Sequence, residues 1–166
     1  MNILKLFIVH LMLMFAMFLA TAAAIENGYA ANWTKKSIAM KGDNPSIVLD
    51  QNGNAHLFYV HLGGMSGNDL IHSWFYGKGW HSEKLDTFNT GSWSSATLDQ
   101  GGKIHLVYGY NLYTSNPELK YASFDGVSWK SQVIEDGGFT PTITIAPDGF
   151  PRIVHFASNV GTLRYL

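Results

Sequence analysis

The stretch SIVLDQNGNAHLFY, at Ser46–Tyr59, has the pattern of a β-hairpin, because two alternating apolar runs are joined by an Asp/Gly turn. A similar stretch, SATLDQGGKIHLVY, returns at Ser95–Tyr108, and a third version, TITIAPDGFPRIVH, lies at Thr142–His155. The chain therefore repeats one hairpin three times.

The repeat extends beyond the hairpin. DLIHSWFYGKGW, at Asp69–Trp80, matches ELKYASFDGVSW, at Glu118–Trp129, and TLRYL at 162–166 begins a third copy. Each unit thus holds four short strands, and no helical periodicity follows the N-terminal segment. Four-stranded units that recur after 40 to 50 residues are typical of a β-propeller, in which each blade covers its two faces by packing between its neighbours. We predict an all-β fold of antiparallel four-stranded propeller blades.

The first 24 residues have the layout of a secretory signal peptide. A basic start, MNILK, precedes the apolar run LFIVHLMLMFAMFLA and the small-residue exit TAAA. An uncleaved signal anchor is the alternative, since a spanning helix needs about 20 apolar residues. His10 within the run and the alanines at its end favour cleavage after Ala24, with Ala30 as a second site. We expect a secreted or periplasmic protein that has no membrane contact once the signal is removed.

The mature chain, 25–166, is predicted to be one repeat domain. It divides into a lone fourth strand with a linker at 33–43, blades at 44–86 and 87–136, and a partial blade at 137–166. The lone strand is predicted because Trp33 aligns with the fourth-strand residues Trp80 and Trp129, which repeat and so indicate packing within the blades. A strand from one end of the chain commonly completes the blade formed at the other.

About three blades is fewer than the four to eight of typical propellers. The ring is then incomplete in one chain, and three explanations remain open. The chain is a fragment of a longer protein, which the early stop of the last strand favours. Alternatively, two or more chains form a homo-oligomer that completes the ring, or three blades close by themselves.

Composition excludes several classes of function. There is no cysteine, so disulfides, thiolate metal sites and cysteine nucleophiles are absent. The formal net charge is −1, and Arg152 and Arg164 are the only arginines, so no basic stripe exists for nucleic acid. No His pair has helical spacing and no HExxH-like cluster occurs, so we predict neither a metal site nor a cofactor.

The repeats resemble those of secreted bacterial β-propellers with sialidase-type (BNR, or Asp-box) repeats. SFDGVSW, at Ser123–Trp129, is similar to a shortened Asp-box, Ser-x-Asp-x-Gly-x-Thr-Trp, whereas the equivalent WFYGKGW has lost the Asp. In that family the box is a structural turn away from the active face, and sialidase catalysis needs three arginines. With two arginines, sialidase activity of this chain is not expected.

The resemblance places ligands at the connections between second and third strands and between blades, including KGDN, TFNTGSW and EDGGFT. Four aspartates fall instead in turns on the opposite face and are predicted turn formers: Asp50, Asp99, Asp125 and Asp148. Five acidic residues lie near the ligand face, where we expect solvated loops: Asp43, Asp69, Glu118, Glu135 and Asp136. Glycoside hydrolysis needs two facing carboxylates, and the sequence reveals no such pair.

The histidines fall into two sets of positions. His56, His105 and Arg152 share one repeat position, which indicates packing. His61, Tyr110 and His155 lie at the ends of second strands, and by analogy with propeller polysaccharide lyases they are acid/base candidates. A lyase would give unsaturated products that absorb in the ultraviolet.

The aromatic residues favour binding. Trp93 does not repeat and falls in a Gly/Ser loop on the predicted ligand face, so its indole is a candidate platform for a sugar ring. The predicted ligand-binding residues are Trp93, Tyr110, Asn111, Tyr113 and Asp43. We expect a non-catalytic module that binds extracellular glycan. A lyase or glycoside hydrolase, or a protein-interaction scaffold, are the alternatives.

Overall fold

The computed structural model describes residues 34–39, 41–63, 67–87, 93–112 and 114–166. Within these ranges the chain forms eleven β-strands and no helix. They are β1 (Gly42–Leu49), β2 (Ala55–Leu62), β3 (Asn68–Tyr76), β4 (Gly79–Asp86), β5 (Ser94–Leu98), β6 (Ile104–Tyr110), β7 (Glu118–Phe124), β8 (Trp129–Asp136), β9 (Gly138–Ile145), β10 (Pro151–Ala157) and β11 (Thr162–Tyr165). No helix in the described ranges is long and apolar enough to cross a membrane.

The strands form three antiparallel sheets that correspond to the predicted blades. The first blade is β1-β2-β3-β4, the second is β5-β6-β7-β8, and the third is β9-β10-β11. Within each blade, every strand pairs with the strand that follows it in the chain, as hairpin connections require. The prediction of an all-β fold with four-stranded antiparallel propeller blades is confirmed.

The pairing registers also confirm the alignment of the repeats. Phe58 pairs with His72 in the first blade, and Val107 pairs with Tyr121 in the second. At the same position in the third blade, Val154 pairs with Tyr165. TLRYL is therefore the third strand of the repeat.

The turn between first and second strands has the same construction in all three blades. The turn aspartate accepts backbone N–H hydrogen bonds, from Asn52 and Asn54 in the first blade. A glycine with positive φ closes each turn; Gly53 has a φ of 80°. Only glycine adopts this conformation without strain. The Asp-box-like turn behaves similarly, since Asp125 accepts the N–H groups of Val127 and Ser128. The predicted role of these aspartates as turn formers is confirmed.

The blades pack face to face, and their first strands β1, β5 and β9 are neighbours. One apolar cluster lies between the first and second blades, comprising Phe58, Leu70, Ile104, Leu106, Tyr108 and Ala122. A second cluster, Val107, Leu119, Ile143 and Ile153, lies between the second and third. Trp129 joins the first interface: its indole packs edge-on against Phe58, with ring centroids 5.7 Å apart. Packing between blades, not within one blade, therefore forms the core.

The strands are longer than the sequence indicated. The predicted loop KGDN lies mostly in β1, and the predicted loop EDGGFT is divided between β8 and β9, which only Gly137 separates. Register shifts in β1, β8 and β9 explain the difference, because a bulge lets a strand continue past a break in its apolar alternation. The sheets span residues 42–86, 94–136 and 138–165. The domain bounds 44–86, 87–136 and 137–166 stay a prediction.

The N-terminal predictions fall largely outside the described residues. The signal peptide at 1–24 and Trp33 lie there. Residues 34–39 are exposed and form no regular secondary structure. The fourth-strand pairing expected for 33–43 therefore stays a prediction.

Candidate functional site

The two ends of the blades carry different strand connections. We call one end the loop face; it bears the β2–β3, β6–β7 and β10–β11 connections and the links between blades. The other end, the hairpin face, bears the β1–β2, β5–β6 and β9–β10 turns. The predicted ligand surface is the loop face.

A cleft of ≈ 340 Å³ opens on the loop face between the second and third blades. It is lined by Ser115, Asn116, Pro117, Glu118, Asp136, Gly137 and Asn159. These residues come from the β6–β7 connection, the end of β8, the link to β9 and the β10–β11 turn. Two blades therefore contribute to one site, which we call the loop-face cleft.

Two adjacent glycines give the cleft its shape. Gly137 N–H donates to Pro117 O (2.6 Å), and Gly137 O accepts from Ser158 N–H (2.9 Å), so this one residue ties both neighbouring connections together. Its φ is 76°, and a Cβ there would lie 2.8 Å from Asn159 Oδ1. A Cβ on Gly138 would overlap the Cβ of Leu119. The close approach of the two blades at this point requires glycine.

The lining of the loop-face cleft is polar. Glu118 and Asp136 are register partners on β7 and β8, which places their side chains on one side of the sheet. Asn116 and Asn159 add amide groups that both donate and accept, and Ser115 adds a hydroxyl. Carboxylates and amides in a concave site suit hydroxyl-rich ligands, because each hydroxyl both donates and accepts hydrogen bonds.

The predicted aromatic residues lie on either side of the second blade. Trp93 contacts Phe139 of β9, with ring centroids 5.4 Å apart, and its carbonyl accepts from Gly109 N–H (3.1 Å). Tyr110 instead lies beneath Lys120, whose Nζ is 3.6 Å from the ring centroid. Tyr110 is also the register partner of Glu118, so it adjoins the loop-face cleft.

The other three predicted ligand-binding residues are Asn111, Asp43 and Tyr113. Asn111 has a φ of 53°, and its carbonyl accepts hydrogen bonds from the N–H (3.0 Å) and hydroxyl (2.8 Å) of Thr114, so it shapes the β6–β7 connection. Asp43 is exposed on β1, opposite Val60. Tyr113 lies outside the described residues. The ligand-binding role of all five predicted residues stays a prediction.

Below the loop face, an ion pair spans the first and second blades. Asp86 Oδ2 accepts from Lys120 Nζ (2.8 Å) and from the Tyr108 hydroxyl (3.0 Å). Burial raises the pKa of Tyr108, and the adjacent Asp86 carboxylate raises it further, so the phenol stays protonated. The equivalent ion pair between the second and third blades joins Glu135 to Arg164. Glu135, which was expected to lie in a solvated loop, connects two blades instead.

The acid/base candidates occupy three different environments. His155 takes the place of Tyr108 in the third blade and is buried, and neither ring nitrogen has a hydrogen-bond partner among the described residues. Burial lowers the pKa of His155. Tyr110 faces the first blade through Lys120, and His61 is the register partner of Gly42 and Asp69. Their proposed lyase role stays a prediction.

The hairpin face carries a polar network that sequence reasoning missed. His56, His105 and Arg152 hold the turn aspartates of their own blades: Nε2 of His105 is 3.1 Å from Asp99 Oδ2, and Arg152 bonds Asp148 (2.5 Å). The signal was visible in the sequence, since a basic residue recurs six or four residues after each turn Asp. The shared position is therefore polar support for the turn.

In the first blade this network extends through a chain of side chains. His56 Nδ1 lies 2.9 Å from His72 Nε2, and His72 Nδ1 lies 2.8 Å from Glu83 Oε1. Because a carboxylate only accepts, His72 donates to Glu83 and accepts from His56. Glu83 also accepts from the Trp129 indole N–H (3.0 Å) of the second blade. Burial lowers the pKa of both histidines, which keeps them neutral in the folded protein.

The hairpin face also has two clefts. One, of ≈ 420 Å³, is lined by the turns of the second and third blades, and one, of ≈ 250 Å³, lies between the first and second blades. The smaller cleft includes Asp50, whose Oδ1 and Oδ2 already accept hydrogen bonds from Asn52 and Asn54. Its polar groups therefore serve the turn. Across the described ranges, no group of three or more His, Asp or Glu side chains is arranged to hold a metal ion.

The repeated blades and their face-to-face packing define a β-propeller-type protein. No protein-family model matches the sequence, and no curated protein matches it significantly. Among solved structures, the fold is similar to a fucose lectin from Kordia zhangzhouensis in complex with methyl-fucoside. The TM-score is 0.51 at 19% identity, over 74% of this chain and 90% of that chain.

A second similar structure is the Hadza microbial sialidase Hz136, with a TM-score of 0.57 at 10% identity. The match covers 73% of this chain and 30% of that one. Both neighbours have β-rich folds, and at these identities the similarity concerns the fold alone. Function has to be argued from the site.

Proposed function

We propose that this chain is an exported, non-catalytic glycan-binding module whose binding site is the loop-face cleft. The observation that carries the proposal is the composition of this cleft. Glu118, Asp136, Asn116 and Asn159, which carry carboxylate and amide groups, are among the residues that line a concave site built from two blades. Small-ligand sites use such a few convergent polar groups to fix orientation.

The size of the loop-face cleft agrees with a short glycan. At ≈ 340 Å³ it lies at the lower end of the range for small-molecule sites, about 300–1,000 Å³. The ring of Trp93, which contacts Phe139 of the third blade, would extend the surface, since the C–H face of a sugar stacks on an aromatic ring. We infer that the cleft holds one terminal sugar and that this ring contacts the next.

The structural neighbours are compatible with this proposal. The fucose lectin was solved with methyl-fucoside, and its fold is similar over 90% of its length. We therefore place methyl-fucoside among the first ligands to test.

The test is a glycan array probed with wild-type protein and two matched variants. Asn159→Ala removes an amide from the loop-face cleft, whereas Asn52→Ala removes an equally exposed turn amide on the hairpin face. We expect Asn159→Ala, and also Glu118→Gln, to weaken binding about tenfold, the loss of one or two hydrogen bonds. Asn52→Ala should bind like wild type. No glycan bound, or equal loss in both Asn variants, would refute the proposal.

Trp93→Ala tests whether the aromatic surface takes part. Retention on the best glycan of the array should fall, while the circular dichroism of the variant stays that of wild type. Trp80→Ala is the control, because Trp80 packs against Phe75 within the first blade, with ring centroids 5.6 Å apart. Unchanged retention of the Trp93 variant would confine the site to the polar cleft.

One observation favours a second candidate function. Glu118 and Asp136 line the same cleft, and glycoside hydrolases place two carboxylates around the scissile bond. Nitrophenyl glycosides distinguish the two functions. A glycosidase would release nitrophenol, and either Glu118→Gln or Asp136→Asn would abolish the release. A binding module would release none while still retaining glycan.

A further inference from the structure

The first and third blades each expose one side whose equivalent is buried between blades in the rest of the structure. We call the outer side of the first blade, with Ile47 and Leu49, the leading face. The trailing face is the outer side of the third blade, and it consists of Thr142, Val154, Phe156, Leu163 and Tyr165. The two faces lie at opposite ends of the row of blades.

The trailing face shows the contrast most clearly. Leu70 and Leu119, at one repeat position of the third strand, are both 0% exposed, because the following blade covers them. Leu163 holds the same position in the third blade and is 75% exposed. Likewise, Val107 is 0% exposed and its equivalent, Val154, is 41% exposed. The third blade thus retains the apolar surface that elsewhere receives a next blade.

The leading face shows the complementary contrast. Ile143 of β9 is 6% exposed, since it packs against the second blade. The equivalent residue of β1, Ile47, is also isoleucine but is 61% exposed. Leu49 is 55% exposed, whereas the equivalent Leu98 is half-buried. The first blade thus retains the apolar surface that elsewhere packs against a preceding blade.

A repeated hydrogen bond gives these faces a direction. Ser46 Oγ of β1 accepts from Ala96 N–H of β5 (2.9 Å), and Ser95 Oγ accepts from Ile143 N–H of β9 (3.3 Å). In both cases a serine hydroxyl on the first strand of one blade accepts a hydrogen bond from a backbone N–H on the first strand of the next blade. Thr142 is the next hydroxyl in this series and is exposed. In the first blade, the backbone N–H of Ile47 holds the position equivalent to the donors Ala96 and Ile143.

We propose that the trailing face of one chain docks on the leading face of a second copy, and that two copies close a six-bladed ring. The occupant is a second copy because each face repeats one half of an interface that the chain already makes twice. Two such contacts, related by a two-fold axis, satisfy both faces of both copies. Six is the multiple of three that falls within the usual four to eight blades.

The first test is the mass of the purified chain in solution, measured by light scattering behind a sizing column. We expect one species of twice the chain mass. Ile47→Lys and Leu163→Lys should each reduce the mass to that of one chain, because a desolvated lysine in the interface is costly. Val127→Lys is the matched control: Val127 is 90% exposed at the β7–β8 turn, outside both faces, so this variant should remain a dimer.

A mixing experiment tests the head-to-tail arrangement. Ile47→Lys keeps an intact trailing face, and Leu163→Lys keeps an intact leading face. The two variants, each monomeric alone, should form a heterodimer through one intact interface when mixed. A monomeric wild type, a polydisperse wild type, or a dimer broken by only one of the two substitutions would overturn the proposal. Circular dichroism shows that each variant is folded, and no glycan is present, so the outcome is independent of the proposed function.

Discussion

The hairpin face and the loop face are made by the same strands, yet they differ in how far they repeat. On the hairpin face, each blade has a turn aspartate held by a basic side chain from its second strand: Asp99 by His105, and Asp148 by Arg152. On the loop face, the connections share no such pattern, and Gly137 and Asn159 have no counterpart in the first blade's connections. Both faces have clefts, so the presence of a cavity does not distinguish them.

The difference separates the parts that serve the fold from those that are free for function. A feature needed to form a blade must occur in every blade, and the pairing of a turn aspartate with a basic side chain does. A ligand needs only one site, so residues that bind it are not required to repeat. The polar groups of the hairpin face therefore serve turn formation, and those of the loop-face cleft are the ones we propose for recognition.

The largest effect is expected from Gly138→Ala, at the base of the loop-face cleft. The added Cβ would overlap Leu119, which is fully buried between the second and third blades. We expect a loss of about 3 kcal/mol in the free energy of unfolding. Gly101→Ala on the hairpin face, where the nearest atom is 3.3 Å from the new Cβ, should cost under about 1 kcal/mol. Urea denaturation measures both. Similar values would mean that the blades are not in close contact there.

A smaller effect is expected from Asp99→Ala on the hairpin face. The substitution removes the acceptor of Lys103 N–H (2.9 Å) and leaves the buried His105 without its carboxylate partner. We expect a loss of about 2 kcal/mol in stability and unchanged glycan affinity. Asp136→Ala in the loop-face cleft should show the reverse, with a stability change within about 0.5 kcal/mol and weaker glycan binding. If the two variants behaved alike, the division of roles between the faces would fail.

A still smaller effect should appear as a pH dependence of stability. Burial lowers the pKa of His56 and His72, so the unfolded chain binds protons below pH 6.5 that the folded chain does not. The free energy of unfolding therefore falls as the pH decreases from 7.5 to 5, by at most about 1.4 kcal/mol per pH unit for each histidine. The loss ends once the pH is below the folded-state pKa values.

Thermal melts across this range measure the effect. A double variant, His56→Gln with His72→Gln, should show a shallower dependence, because two of the responsible groups no longer titrate. Stability that stays constant or rises towards pH 5 would contradict the neutral state of the two histidines.

The sequence was sufficient to predict the fold because the repeat encodes it. The Asp/Gly turns and the alternation of apolar residues predicted each hairpin, and the period predicted the blades. The sequence did not reveal the loop-face cleft. Glu118 and Asp136 are distant in sequence and meet only because β7 and β8 pair, and Asn159 joins them only because the third blade packs on the second.

The contacts of Trp93 likewise could not be predicted from the sequence. Its failure to repeat predicted an unusual loop, but its contact with Phe139 depends on where β9 begins. Bulges moved that boundary from the predicted loop into a strand. The position of a single side chain on a face is set by tertiary packing, which period and composition do not record.

The most direct test of the central claim is to map glycan contacts by the backbone amide NMR shifts of the isotope-labelled protein, titrated with methyl-fucoside and with the best ligand from the array. The account predicts that shifts concentrate at 115–118, 136–138 and 158–159, on the loop face, while 50–54 and 99–103 on the hairpin face stay unchanged. Shifts centred on the hairpin-face turns, or none with any glycan, would contradict it.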